Sequence, residues 1–167
     1  MQAEFVTELF EKAGREGIHT CLDTSGIIFD EENSERIDAL LGFCDLVMLD
    51  IKHIDEEKHK ALTGLSNKKV LAFARHLEKR DVPVWVRNVV VPGVTDDEAD
   101  LVRLGEFIGT LRNVRALDVL PYHTMGTKKY DELGIEYPLA GVPAATKAQA
   151  TDARELILKG IRATRKI

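Results

Sequence analysis

Ionisable residues stand in or at the end of short apolar runs at four places in this chain: Asp23, Asp50 with Lys52, Arg87, and His123. Two carboxylates, a guanidinium, an ammonium and an imidazole could together hold a small ligand carrying both a carboxylate and an amino group. The carboxylate, hydroxyl and carbonyl oxygens of Asp23, Thr24, Met48 and Asp50 could surround a hard cation. Each residue also has a plainer explanation. Asp23, followed by Thr24-Ser25-Gly26, suits a turn or a helix cap; Asp50 and Lys52 suit a structural ion pair; His123 suits a hydrogen-bonded core position. No Ser/His/Asp or Cys/His nucleophilic arrangement, Walker loop or GxGxxG motif is present, so no residue is nominated as catalytic.

The elements that must position these groups follow from apolar periodicity. Four runs rich in β-branched residues, at 18–24, 45–52, 82–91 and 114–123, alternate with helical patterns. This is the signature of βα units around a parallel sheet, and runs so continuously apolar predict strands covered on both faces. Helices are expected at 2–15, with Phe5, Leu9 and Phe10 on one face and Gly17 as stop signal, at 34–42, at 55–62 capped by Asp55, and at 67–80 behind Ser66. Thr95 and Glu98 have capping-box spacing and predict a helix over 96–111. The Gly- and Pro-rich stretch 124–145 reads as loop, with a final helix after Thr146.

Period-2 alternation then places Met48, Asp50 and Lys52 on one face of the second strand and Val47, Leu49 and Ile51 on the other. Asp23 falls near the end of the first strand, Arg87 lies within the third and His123 closes the fourth, so each strand places an ionisable group near the C-terminal rim at which parallel α/β folds bind ligands. Buried charges are costly unless paired or liganded, so the coincidence favours a polar small-molecule site. The fold expected is α/β: a partial TIM-type barrel of about four parallel strands alternating with helices. A closed eight-stranded barrel typically needs about 250 residues, and this chain has 167, read as a single domain over 1–167.

Composition narrows the classes. A formal net charge of −5 argues against general nucleic-acid binding. No apolar stretch approaches the roughly 20 residues of a membrane span, and the acidic N-terminus does not resemble a secretory signal, so a cytoplasmic location is expected. Cys21 and Cys44, the two cysteines, make neither a disulfide framework nor a zinc motif and are expected to be buried free thiols.

The stretches QAEF, GIHTCLDTSG (17–26), DLVMLDIK (45–52), VWVRNVVVPGVTDD (84–97), LGEF (104–107) and LPYH (120–123) resemble, in order, the pyruvate formate-lyase activating enzymes. These are radical S-adenosylmethionine (SAM) proteins. The resemblance implies the C-terminal part of a (β/α)6 barrel. It implies that Asp23, Lys52, Arg87 and His123 line the SAM pocket, with Asp23, Thr24, Met48 and Asp50 around a monovalent cation. It also implies, for the parent enzyme, a [4Fe–4S] cluster, a flavodoxin or ferredoxin as electron donor, and a glycyl-radical enzyme such as pyruvate formate-lyase as the partner receiving the radical. The family's CxxxCxxC motif and its Gly-Gly-Glu segment are absent from these 167 residues. The expectation is therefore a pocket-bearing portion, with upstream units removed, that does not hold the cluster and is inactive alone. Other readings are a binding module or half-barrel partner, and an unrelated metabolic enzyme using Asp50, Lys52 and His123 for acid–base work. An uncovered first strand would also favour self-association through the barrel edge.

Overall fold

Helix and strand alternate as the periodicity predicts. The computed structural model describes residues 2–165, and among them four strands appear: β1 (Cys21–Thr24), β2 (Leu46–Asp50), β3 (Val84–Val90) and β4 (Val114–Pro121). They lie in the order β1-β2-β3-β4 and run parallel, the arrangement of part of an α/β barrel. The helices are α1 (Ala3–Arg15), α2 (Glu35–Leu41), α3 (Glu56–Thr63), α4 (Lys68–Lys79), α5 (Glu98–Thr110), α6 (Thr127–Leu133) and α7 (Lys147–Arg165), with a 3-10 turn at Glu31–Asn33. Among the described residues, no helix is long and apolar enough to cross a membrane.

The chain forms two compact units. One takes in the residues up to Arg87 together with Thr110–Asp118; the other is Asn88–Gly109 with Val119–Ile167.

In the first unit, Val47, Leu49 and Ile51 are fully buried, as are Val84 and Val86 of β3, and Leu40, Val70, Phe73 and Leu77 from the helices join them. Burying a side chain of this size contributes roughly 1.5–3 kcal/mol, so this one-sided core dominates the unit's stability. Phe29 packs against Phe73 with ring centroids 5.3 Å apart. The alternate residues do not share this burial. Leu46, Met48 and Asp50 are half-buried and Trp85 is 42% exposed, so the expectation of strands covered on both faces is wrong for this unit. The runs look continuously apolar because Met48 and Trp85 occupy the open face.

Helix ends match the sequence unevenly. The Asp55 carboxylate accepts hydrogen bonds from the Glu57 and Lys58 amides, as expected of the α3 cap. Gly17 adopts φ +69° after α1, a left-handed turn that glycine enters without steric cost. The apolar stripe of α1 stays uncovered: Phe5 is 62% and Leu9 50% exposed.

The second unit is built on α5 and α7, whose backbones touch where Gly105 of α5 faces Gly160 of α7. A Cβ at Gly105 would run into the Ile157 carbonyl oxygen, and one at Gly160 into that of Val102. The predicted capping box at Thr95 and Glu98 does not form. The Thr95 hydroxyl is buried and committed to the preceding turn, donating to the Val89 carbonyl and accepting from the Val91 amide. Asp97 instead accepts from the Asp100 amide, and α5 begins at Glu98 rather than residue 96. A reciprocal box does form at α7. The Thr146 hydroxyl accepts from the Gln149 amide while the Gln149 side chain accepts from the Thr146 amide. The expected loop 124–145 contains α6. Gly134, at φ +63°, is the stop residue of that helix rather than a mark of irregular chain.

Candidate functional site

Strand register assembles the site in the first unit. Asp23 is opposite Met48, Met48 is opposite Trp85, and Asp50 is opposite Arg87. Arg87 therefore has Asp50 beside it, while Asp23 lies two strand spacings away, roughly 10 Å in the hydrogen-bonding direction. A long side chain can cross that distance, and the Arg87 guanidinium does so. Its Nε donates to Asp50 Oδ1 at 2.8 Å, while Nη1 and Nη2 donate to Asp23 Oδ2 and Oδ1 at 3.0 and 2.6 Å, a two-pronged contact. Lys52 Nζ completes the network on Asp50 Oδ2 at 2.7 Å.

Two carboxylates and two cations thus close on one another, with Asp23 and Asp50 at the C-terminal ends of β1 and β2 and Arg87 midway along β3. Exposure grades across them: the Asp50 and Arg87 side chains are 18% and 21% exposed, whereas Asp23 is 54% exposed. Burial pushes the Asp50 carboxyl up, but hydrogen bonds from Arg87 and Lys52 outweigh it and hold the group below the ordinary carboxylate range. A carboxylate stabilised in that way is a poor proton acceptor near neutrality, which weighs against the acid–base reading of Asp50 and Lys52. The balanced cluster is better suited to exchanging partners. A ligand with one carboxylate and one ammonium can replace an internal ion pair and leave no charge unmatched.

The remaining nominated residues have other surroundings. Thr24 Oγ1 accepts from the Gly26 amide at 3.0 Å in the turn after β1, and Met48 is half-buried between Asp23 and Trp85 in the register. His123 belongs to the second unit. It follows β4 as an exposed residue and lines a concavity of about 390 Å³ with Val89, Leu120, Pro121 and Tyr122. Among the described residues, no group of three or more His, Cys, Asp or Glu side chains is arranged to hold a metal ion.

Sequence reasoning passed over Trp85. The alternation that selects Arg87 also puts Trp85 on the same face of β3, so its position was available from the pattern. Tyr137, whose hydroxyl meets that of Tyr122 at 2.7 Å, sits in the stretch read as loop and had no periodic signal.

The comparisons with known proteins agree with this architecture. Residues 1–105 match the model of the Radical SAM superfamily. The chain is 46% identical over 159 residues to a pyruvate formate-lyase-activating enzyme of Streptococcus mutans, covering 94% of this chain and 60% of that protein. It is 47% identical over 146 residues to one from Listeria monocytogenes, covering 86% of this chain and 59% of that protein. The chain thus spans about 60% of the length of the curated relatives it matches. A crystal structure of a domain of pyruvate-formate lyase-activating enzyme from Bacteroides vulgatus shares the fold, with a TM-score of 0.75 at 21% identity over 95% of this chain and 86% of that one. Coproporphyrinogen III oxidase from Escherichia coli, described as a radical SAM enzyme, aligns with a TM-score of 0.61 at 9% identity over 98% of this chain and 38% of its own. With its parallel strands and the match over residues 1–105, the chain belongs to the radical SAM superfamily.

Proposed function

We propose that this chain supplies the SAM-binding strand ends of an enzyme that activates pyruvate formate-lyase. The observation that carries the reading is the charge-balanced network of Asp23, Asp50, Lys52 and Arg87, built at the C-terminal ends of β1 and β2 and on the facing middle of β3. The donor set fits the methionyl end of SAM. Arg87 and Lys52 can receive its carboxylate, and Asp23, the most exposed member, can receive its ammonium in exchange for Arg87. His123 is assigned to the same ligand by resemblance. SAM held there would supply radical chemistry only on receiving an electron from a one-electron donor such as an iron–sulfur cluster, which these residues do not provide. The residues of this chain bind and orient it, and Asp50 stays ionised between Lys52 and Arg87 to hold both cations in place.

The cation expected at Asp23, Thr24, Met48 and Asp50 would have to be exchanged for existing contacts, since all four carboxylate oxygens already face Arg87 or Lys52. The cysteines do not suit a [4Fe–4S] cluster. Cys44 Sγ donates to the Leu46 carbonyl, and burial pushes its thiol up, opposite to the thiolate that iron requires. No step of this mechanism therefore passes through a cluster. Anaerobic reconstitution of the chain with iron and sulfide should leave it without the [4Fe–4S] absorbance, and a stoichiometric cluster spectrum would reverse that assignment.

The decisive test is calorimetric titration with SAM. Wild type should bind, R87M should bind at least about tenfold more weakly, as expected when a charge-assisted contact is lost, and S-adenosylhomocysteine should retain the methionyl contacts. Equal affinity in wild type and R87M would remove the network from the site. A second reading, a module that engages the partner enzyme, is favoured by Met125, Leu133 and Ile135, which are 78%, 72% and 54% exposed around α6. Surfaces of this kind mark protein contacts. Loss of pyruvate formate-lyase capture in M125S/L133S, with SAM affinity unchanged, would support it.

A further inference from the structure

The backbone just before His123 is held by two main-chain hydrogen bonds, both made by Tyr122. Just after β4, Tyr122 is buried and His123 exposed, and both line the concavity. The Tyr122 amide donates to the Val90 carbonyl at 3.0 Å, and the Tyr122 carbonyl accepts from the Ala145 amide at 2.9 Å. Its ring is fixed by a third contact, the 2.7 Å hydrogen bond to the Tyr137 hydroxyl. Tyr137 in turn meets Tyr130 edge-on, with ring centroids 4.9 Å apart and planes at 69°. The segment between His123 and Ala145 thus returns to the strand end through one main-chain bond and one phenol pair.

The two main-chain bonds fix where residue 122 sits, but a tyrosine ring can still rotate about its side-chain torsions. The hydroxyl pair removes that freedom. The Tyr122 hydrogen bond, followed by burial, pushes the Tyr137 hydroxyl up to about 12, so Tyr137 keeps its proton through the neutral range.

We propose that Tyr137 is a positioning residue for His123, acting through the Tyr122 hydroxyl to hold the end of β4 in a single arrangement. The proposal rests on the reading that His123 contacts SAM, and it goes further by assigning a role to a residue outside the concavity lining, which it reaches through Tyr122. A packing role alone would be met equally by phenylalanine, which keeps the edge-on contact with Tyr130.

Y137F in the 167-residue chain tests this, with Y122F as the reciprocal removal of the same bond. In wild type the His123 ring should give one sharp set of NMR signals. In both variants it should broaden or split, and exchange of the Ala145 amide should speed up about three- to tenfold, the range for losing one neutral hydrogen bond. SAM affinity should fall by a similar factor in Y137F and should not fall further when Y137F is added to H123A, because the effect travels through the imidazole. An unchanged His123 signal in both variants overturns the proposal, as does an equal Y137F penalty with and without H123A. H123A binding SAM as tightly as wild type would overturn the cofactor reading, and the NMR signals would then decide the positioning role by themselves.

Discussion

Replacing Arg87 with methionine removes the guanidinium while keeping most of the aliphatic stem, and the structure fixes what this should cost. The bond to Asp50 is charge-assisted and both partners are about four-fifths buried, so its loss should cost about 1.5–3 kcal/mol. The two bonds to Asp23 add little, because that carboxylate is 54% exposed and water can replace the guanidinium; about 0–1 kcal/mol is appropriate. Lys52 remains on Asp50 at 2.7 Å, which keeps the buried carboxylate from being stranded. The expected net loss is about 2–3 kcal/mol. Urea unfolding followed by far-ultraviolet circular dichroism should then show the midpoint about 1 M lower, given a denaturant slope of about 2 kcal/mol per molar for a chain of this size.

The pH dependence of that gap follows from Asp50. Its folded-state pKa lies below its unfolded value, so its contribution is fully present above the unfolded pKa of about 3.9 and is lost as pH falls through the lower folded value. The difference between wild type and R87M should be constant from pH 7 to 5 and narrow only below about pH 4. In a double-mutant cycle, adding D50N to R87M should cost much less than D50N costs in wild type. A gap below about 0.5 kcal/mol, or one that closes between pH 7 and 5, would refute the placement of Arg87 on an ionised Asp50.

Three further outcomes are expected. T146A should lose about 1 kcal/mol of stability, the usual cost of an N-cap, while E98A should be near neutral because its capping box is not formed; thermal melts of the two variants decide this. G105A should lose about 2 kcal/mol or more, since the new methyl meets the Ile157 carbonyl of α7 rather than a flexible side chain, and chemical unfolding that matched wild type would contradict the close helix crossing. Trp85 is the chain's one tryptophan and stands on the open face beside Met48, two residues before Arg87, so SAM binding should alter its emission; titration without a spectral change but with calorimetric heat would place the ligand elsewhere.

Most of the fold could be read from the chain because its elements carry their signals locally. All four strands fall inside the predicted runs, each shortened by up to three residues at one or both ends, since strand pairing stops before the apolar pattern does. The misreadings have separate causes. At Thr95, a side chain with the right spacing to cap a helix was drawn instead to the turn after β3, where the Val91 amide and the Val89 carbonyl are both in reach. In the stretch 124–145, two glycines eight residues apart were taken for irregular chain, whereas Gly126 and Gly134 are the residues flanking α6 at its two ends. Glycine signals a change of direction without saying whether a helix precedes it.

The site was legible for a different reason. Alternation sorts residues between two faces and needs only the strand to be correct, so Asp50, Lys52 and Arg87 could be grouped before any contact was known. Alternation cannot give register, and register decides which charges meet. Arg87 stands beside Asp50 and reaches Asp23 across β2, which makes it the centre of the network, whereas the sequence treats Asp23, Lys52 and Arg87 as equivalent members of a rim. The distinction has a functional consequence. If Asp23 exchanges its two guanidinium contacts for the ammonium of a ligand while Asp50 keeps its own, Arg87 gains two free donors at the moment the ligand's carboxylate needs them. One residue would then both hold the empty site together and receive the substrate, and D23N, which removes the internal competitor without touching Asp50, should weaken ligand binding less than R87M does.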